Sequence, residues 1–272
     1  MFTITPVALV GEDFWHELKR VLAPLPGLNL EHISIFPGRN TQVTLQYKTA
    51  TRREETTTEP MPPLRIEHLQ GLAKADGALV NMITGEDVER EAFIWLAEQT
   101  SARVYFDVHT LALGRDREGR RYYRVPHRWQ DWISRCDIVQ LNREEAAVLA
   151  QQPQDCEQDA LQDFLSSLLA LGPSGVLLTL GREGVLAACK DAAENVTLRQ
   201  LRPRMLPERP VDVIGCGDTF GAAFFAHFLT RQDFFAAAQY ATTIATLKTQ
   251  FTGSLTREQF EKHISNYADF TT

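Results

Sequence analysis

The sequence lacks any apolar run near the roughly 18 residues that a membrane-spanning helix needs, and its first residues, MFTITPVALVGED, carry no basic stretch ahead of an apolar core. Neither membrane insertion nor secretion is expected, and the expected location is the cytoplasm. Cysteine is scarce and scattered: Cys136, Cys156, Cys189 and Cys216 form no CxxC pair and have no histidine at ligand spacing. They read as reduced thiols. The seven histidines make no HExxH or HxxxH pair, so a transition-metal site is not expected. Blocks of like charge are also absent. A net charge of −7 spread along the chain offers no footprint for nucleic-acid phosphates, which leaves a small molecule as the expected partner, with no nucleic acid and no membrane. No internal repeat, low-complexity linker or GxxxxGK[ST] loop is found.

What is present is 272 residues, 44% hydrophobic and 23% charged, enough for one globular domain over residues 1–272 with its own core. Short apolar runs alternate with amphipathic stretches, the mark of an α/β domain with a mainly parallel sheet. Strands are expected at 7–10, 78–82, 103–108, 137–141 and 176–180, and helices at 12–22, 86–98, 143–150 and 159–171. From 217 to 251 the pattern is helical with almost no strand, and 256–264 adds a short final helix. Residues 33–59, rich in Thr and Val, break the alternation and predict two or three exposed antiparallel strands. They form either a β flap over a site or an edge hairpin of the main sheet. An exposed flap edge would suit a homodimer.

The most informative stretch is VDVIGCGDTFGAAFF, residues 211–225. A β-like segment passes through Gly215, Cys216 and Gly217 into a helix whose apolar face takes Phe220, Ala223, Phe224 and Phe228. Glycines there let backbone N–H groups approach an anion, and the helix start adds partial positive charge. The plainer alternative is a tight turn without a ligand. Gly215, Gly217 and Gly221 also spell GxGxxxG, but a dinucleotide fold needs an acidic strand end about 20 residues on, and residues 232–250 read as a helix. The pair Asn142 and Glu145, three residues apart after a strand, fits a capping box as readily as a metal or phosphate element. Asp107 and His109 fall at the end of a predicted parallel strand, where open sheets bind ligands.

The segment from Asp212 to Asp218, DVIGCGD, resembles the D-T-T-G-A-G-D signature of the ribokinase-like (pfkB) carbohydrate kinases. Asp212, Gly215, Gly217, Asp218 and Phe220 match, while Val213, Ile214 and Cys216 depart from it. NREE at 142–145 is similar to the family's N-x-x-E element, and TLGREG at 179–184 to its T-L-G-x-x-G element, in the same order. The resemblance implies a three-layer αβα ribokinase-like fold and transfer of the γ-phosphate of ATP to a hydroxyl of a sugar or sugar-like acceptor. In that scheme Asp218 is the base and the N–H groups of Gly215, Cys216 and Gly217 form the anion hole. Asn142 and Glu145 organise Mg²⁺ through water. Thr179, Gly181, Gly184 and Thr242 border the nucleotide, with Thr242 standing where many relatives carry an adenine-facing Asn. Asp212, with Gly253 in a second loop, stands where relatives hold a monovalent cation, although Ile214 replaces the threonine. Apart from the resemblance, their place at a strand end makes Asp107 and His109 candidates to face the substrate, with a hydrogen-bonded structural role as the alternative for His109. The family's first strand with its substrate-binding Asp and its G-G-x-x-x-N helix start are not recognised here, since the first segment similar to the family is ITPVALVGEDF at 4–14, which corresponds to a point after both. A ribokinase-fold protein that binds nucleotide or a partner without sugar kinase activity is the alternative.

Overall fold

In the computed structural model, residues 2–47, 53–153, 156–203 and 210–264 are described. β1 (Ala8–Gly11) runs into α1 (Glu12–Leu22), which carries Glu12 and Asp13 in its first turn and Lys19 and Arg20 in its last, the order the helix dipole favours. β2 (Ile33–Phe36), β3 (Val43–Tyr47), β4 (Arg53–Thr57) and α2 (Ile66–Leu69) follow. Next come β5 (Gly77–Val80), α3 (Arg90–Gln99), β6 (Arg103–Asp107), the short strands β7 (Leu113–Arg115) and β8 (Arg121–Tyr123), and α4 (Trp129–Ile133). β9 (Ile138–Asn142), α5 (Arg143–Leu149), α6 (Gln158–Leu171), β10 (Gly175–Thr179), β11 (Val185–Lys190) and β12 (Val196–Leu201) complete the strands. The chain then turns helical, with α7 (Cys216–Arg231), α8 (Phe234–Lys248) and α9 (Arg257–Gln259), the last running into a π turn over Phe260–Ile264.

Two compact units divide the chain, one of residues 1–75, 82–101 and 109–132, the other of 76–81, 102–108 and 133–272. In the first, β1 pairs in parallel with β2, β3 with β4 and β7 with β8 as antiparallel hairpins, and a bridge between Thr56 and Arg120 links the two hairpins. Phe93 of α3 is 4.7 Å from Trp132 between ring centres. Two sequence expectations change here. The strand expected at 7–10 lies outside the large sheet. Of the strands expected in 33–59, only β3 and β4 pair antiparallel, since β2 takes β1 as its parallel neighbour. The connection at 48–52 lies outside the described residues.

The second unit is built on a six-stranded sheet in the order β12-β11-β10-β9-β6-β5. β5, β6, β9 and β10 are parallel, and β11 and β12 are antiparallel additions. Alternation along a strand sends side chains to opposite faces. Tyr105, Ile138 and Leu177 therefore share one face, and they pack in one core with Phe220, Phe224 and Phe225 of α7 and Ala237, Ala238 and Ala241 of α8. Val104, Phe106, Val139, Leu141, Val176 and Leu178 take the other face, all at most 2% exposed. α5 contacts β9 and α6 contacts β10 and β11, with Leu161, Leu165, Leu168 and Leu169 of α6 buried. Helices on both faces of a mainly parallel sheet make the three-layer architecture. β11 and β12 are absent from the expected strands: VLAACK is buried through its first four residues and shows no period-2 alternation.

Candidate active site

The carboxyl ends of β5, β6, β9 and β10 lie at one edge of the sheet, the edge where open α/β sheets bind ligands. α7 begins there. Gly215 caps it with φ +73°, a left-handed conformation that costs an L side chain about 1–2 kcal/mol. The Cys216 N–H donates back to Val213 O at 3.3 Å, while Gly217 and Asp218 fall in the first turn, whose amides have no acceptor within the helix. Burial pushes the Cys216 thiol up, so the residue presents no thiolate beside these amides. Asp218 is exposed, and its Oδ1 accepts a 2.5 Å hydrogen bond from Nδ2 of Asn81, the residue that follows β5.

Behind the helix start lies a buried polar network. Gln140 of β9 is 3% exposed; its Nε2 donates to Asp107 Oδ2 at 3.0 Å and to Gly217 O at 3.2 Å, and its Oε1 accepts from the Tyr105 hydroxyl. The Asp107 and Gln140 register fixes the first of these contacts, and burial raises the Tyr105 hydroxyl well above the ordinary tyrosine range, which keeps it a donor. A buried amide with both ends paired is rigid, and here it ties two strands to the first turn of α7.

A cavity of about 280 Å³ opens beside this turn, lined by Thr179, Gly181, Arg182, Gly184, Val213, Cys216, Gly217, Phe220, Thr242, Ala245 and Thr246 among others. Thr179 pairs with Asn142 in the β10–β9 register, so the ends of both strands reach this region. A Cβ on Gly184, which has φ +91°, would come 2.0 Å from Leu201 O, so only glycine permits the turn that leads into β11. Asp218 and Thr219 also border a more open depression of about 610 Å³ that runs along α7 past Ala222, Ala226 and His227.

On the loop before α7, both carboxylate oxygens of Asp212 are engaged. Oδ1 accepts from Ile214 N at 2.8 Å and Oδ2 from Gly253 N at 2.8 Å. The Gly253 and Ile214 N–H groups, with Lys248 nearby, hold this carboxyl below the usual carboxylate range.

The sequence pattern of the pfkB family carbohydrate kinase matches residues 114–259, which include every one of these elements from β9 to α8. The chain belongs to this family. No curated protein matches the chain. Among solved structures, this pfkB kinase is similar to a pyrophosphate-dependent kinase of the ribokinase family in a sulfate complex, at 17% identity and TM-score 0.76, covering 95% of this chain and 85% of the other. Ribokinase from Giardia lamblia is also similar, at 17% identity and TM-score 0.76 over 97% and 82% of the two chains. So is ribokinase from Arabidopsis thaliana complexed with ribose and ATP, at 18% identity and TM-score 0.70 over 92% and 77%. These likenesses establish the ribokinase-like fold, and membership of the family makes the protein a carbohydrate kinase.

The fold of this pfkB kinase brings Thr179, Gly181, Gly184, Cys216, Gly217 and Thr242 around one cavity. Thr242 is 4% exposed, and its Oγ1 donates to Ala238 O at 2.7 Å. Asn142 and Glu145 form a reciprocal capping box: Glu145 N donates to Asn142 Oδ1, and Asn142 N and Nδ2 donate to Oε2 and Oε1 of Glu145 at 2.8 and 2.6 Å. With Glu145 only 3% exposed and its two oxygens so engaged, the pair does not fit direct coordination of Mg²⁺. Asp107 is buried against Gln140 at 6% exposure. His109 belongs to the first compact unit, in a 3₁₀ turn with φ +30°. Sequence reasoning missed Asn81, Gln140, Tyr105, Arg182 and Lys248. For Gln140 a signal existed: a polar residue inside the apolar run IVQLN, two positions from Ile138 and hence on the same face.

Proposed function

We propose that the protein transfers the γ-phosphate of ATP to a hydroxyl of a sugar or sugar-like acceptor, with Asp218 as general base. The observation that carries this is Asp218 in the first turn of α7, beside amides without a helical acceptor and at the edge of the cavity-lining segment Cys216–Gly217. Phosphoryl transfer asks mainly for positioning and for donors aimed at developing charge. Asn81 fixes one carboxylate oxygen of Asp218, which leaves the other for the acceptor's proton. The first-turn N–H groups at Gly217 and Asp218, with the helix dipole, would hold the charge that builds on the transferring phosphoryl group, and Gly215 provides the turn that exposes them.

The donor site is supported by the cavity's mixed lining. Val213, Phe220 and Ala245 offer an apolar wall for a base, a feature that pyrophosphate would not use, and Thr179 and Arg182 offer polar contacts to the donor's phosphates. Mg²⁺ would come with the donor phosphates, neutralise their charge, and meet Asn142 and Glu145 through water. Asp107 remains a candidate for the acceptor side by way of Gln140.

The test is product release from a panel of sugars, nucleosides and sugar phosphates with ATP or pyrophosphate as donor, run beside Asp218→Asn. Turnover with ATP is expected, and the variant should lose about 10²–10⁴-fold. Equal turnover by both proteins for every acceptor would sink the assignment of the base, and turnover with pyrophosphate alone would sink the assignment of the donor.

A further inference from the structure

The pfkB resemblance implies a monovalent cation at Asp212 and the Gly253 loop, and the residues present do not fit one. Lys248, the last residue of α8, has a side chain only 1% exposed. Its Nζ donates to the carbonyl oxygen of Ile214, lies 3.4 Å from that of Asp212, and lies 3.6 Å from Asp212 Oδ2. Backbone carbonyls and a carboxylate are the oxygen ligands that a hard cation takes, and here a side-chain ammonium, with three donors and no acceptor, already faces them. A buried charge persists only when it is paired and hydrogen-bonded, and Asp212 supplies the counter-charge.

The same segment is fastened from several sides. Val211 N and Asp212 N donate to Thr249 O at 2.7 and 3.1 Å, one residue past Lys248. Ile214 N and Gly253 N bind the Asp212 carboxylate. All of these contacts bear on residues 211–214, whose continuation is Gly215 and the amides of the first turn of α7.

We infer that the Lys248 ammonium is a tethered replacement for the monovalent cation, a positioning residue that holds loop 211–214 and thereby the N–H groups at the start of α7. Its effect on rate rests on the phosphotransferase reading above; its effect on cation binding rests on geometry alone.

Wild type and Lys248→Met are compared in buffers of equal ionic strength made with tetramethylammonium, Na⁺ or K⁺. Wild type should give the same thermal midpoint and the same kcat in all three. The methionine keeps most of the bulk and removes the charge, leaving the Asp212 carboxylate and two carbonyls around an uncompensated site. In tetramethylammonium its kcat should fall by about 10²-fold with little change in KM for the acceptor, and saturating K⁺ or Na⁺ should restore part of both kcat and midpoint. A purely structural lysine would show the loss without the cation-specific recovery. A saturable K⁺ or Na⁺ response of the wild type overturns the inference, as does a methionine variant that behaves alike in all three salts. Should that variant fail to fold, the wild-type midpoints still decide. A wild type without turnover would sink the kinase assignment, and its midpoints would test the cation site regardless.

Discussion

At Asp218, the proposed base, one carboxylate oxygen is held by an uncharged neighbour, Asn81, which orients the carboxylate without pairing it with a charge. Asn81→Ala should therefore lower kcat by up to about 10²-fold through misplacement of the carboxylate, with a far smaller effect on the urea midpoint, and unchanged kcat would contradict this role. Gln140 differs because it is buried. Gln140→Leu takes the acceptor from the Tyr105 hydroxyl and a donor from Asp107, and the expected loss is about 2–3 kcal/mol by urea unfolding. The two contacts were unequally legible. Asn142 and Glu145 are three residues apart, and their capping box follows from local spacing. Asn81 and Asp218 are 137 residues apart, and no local pattern joins them.

Among the elements, α7 does two things at once: its first turn faces the site and its next turns fill the core. Phe220, Phe224 and Phe228 stack at helical spacing, with centroid distances of 6.4 and 5.7 Å, and Phe234 at the start of α8 meets Phe224 edge-on at 5.3 Å. Phe224 is 0% exposed, so Phe224→Ala should cost about 3–5 kcal/mol in chemical unfolding, and a loss below 1 kcal/mol would show that α7 is not anchored through this ring. The apolar face of this helix was readable from the sequence, as were α1 at its observed bounds and α5 and α6 to within a residue. Each has a 3.6-residue pattern or a cap. β11 was not readable, because a strand buried along its length gives no alternation, and β2 was misread because nothing local says whether a strand's neighbour will be parallel.

For the whole molecule, acid should be the sensitive side. The folded Asp212 carboxyl lies below its unfolded value, because Gly253 and Ile214 N–H groups and Lys248 favour its charged form. Its stabilisation is then complete above the unfolded value of about 4 and is lost as pH falls through the folded one. The thermal midpoint should be flat from neutral pH to about 5 and decline below it, with a shallower acid limb in Asp212→Asn; identical acid limbs would contradict the assignment. By itself the sequence determined the αβα class, the family, and the order of the elements that reach the site, because helix faces, caps and glycine turns depend on residues within a few positions of one another. Only the tertiary structure decided that Asn81 would hold Asp218, that Gln140 would brace Gly217, and that Lys248 would fill the Asp212 loop. These pairings depend on strand order and register, which bring together residues 34 to 137 positions apart, and on burial, which makes an unpaired amide or ammonium too costly to leave alone.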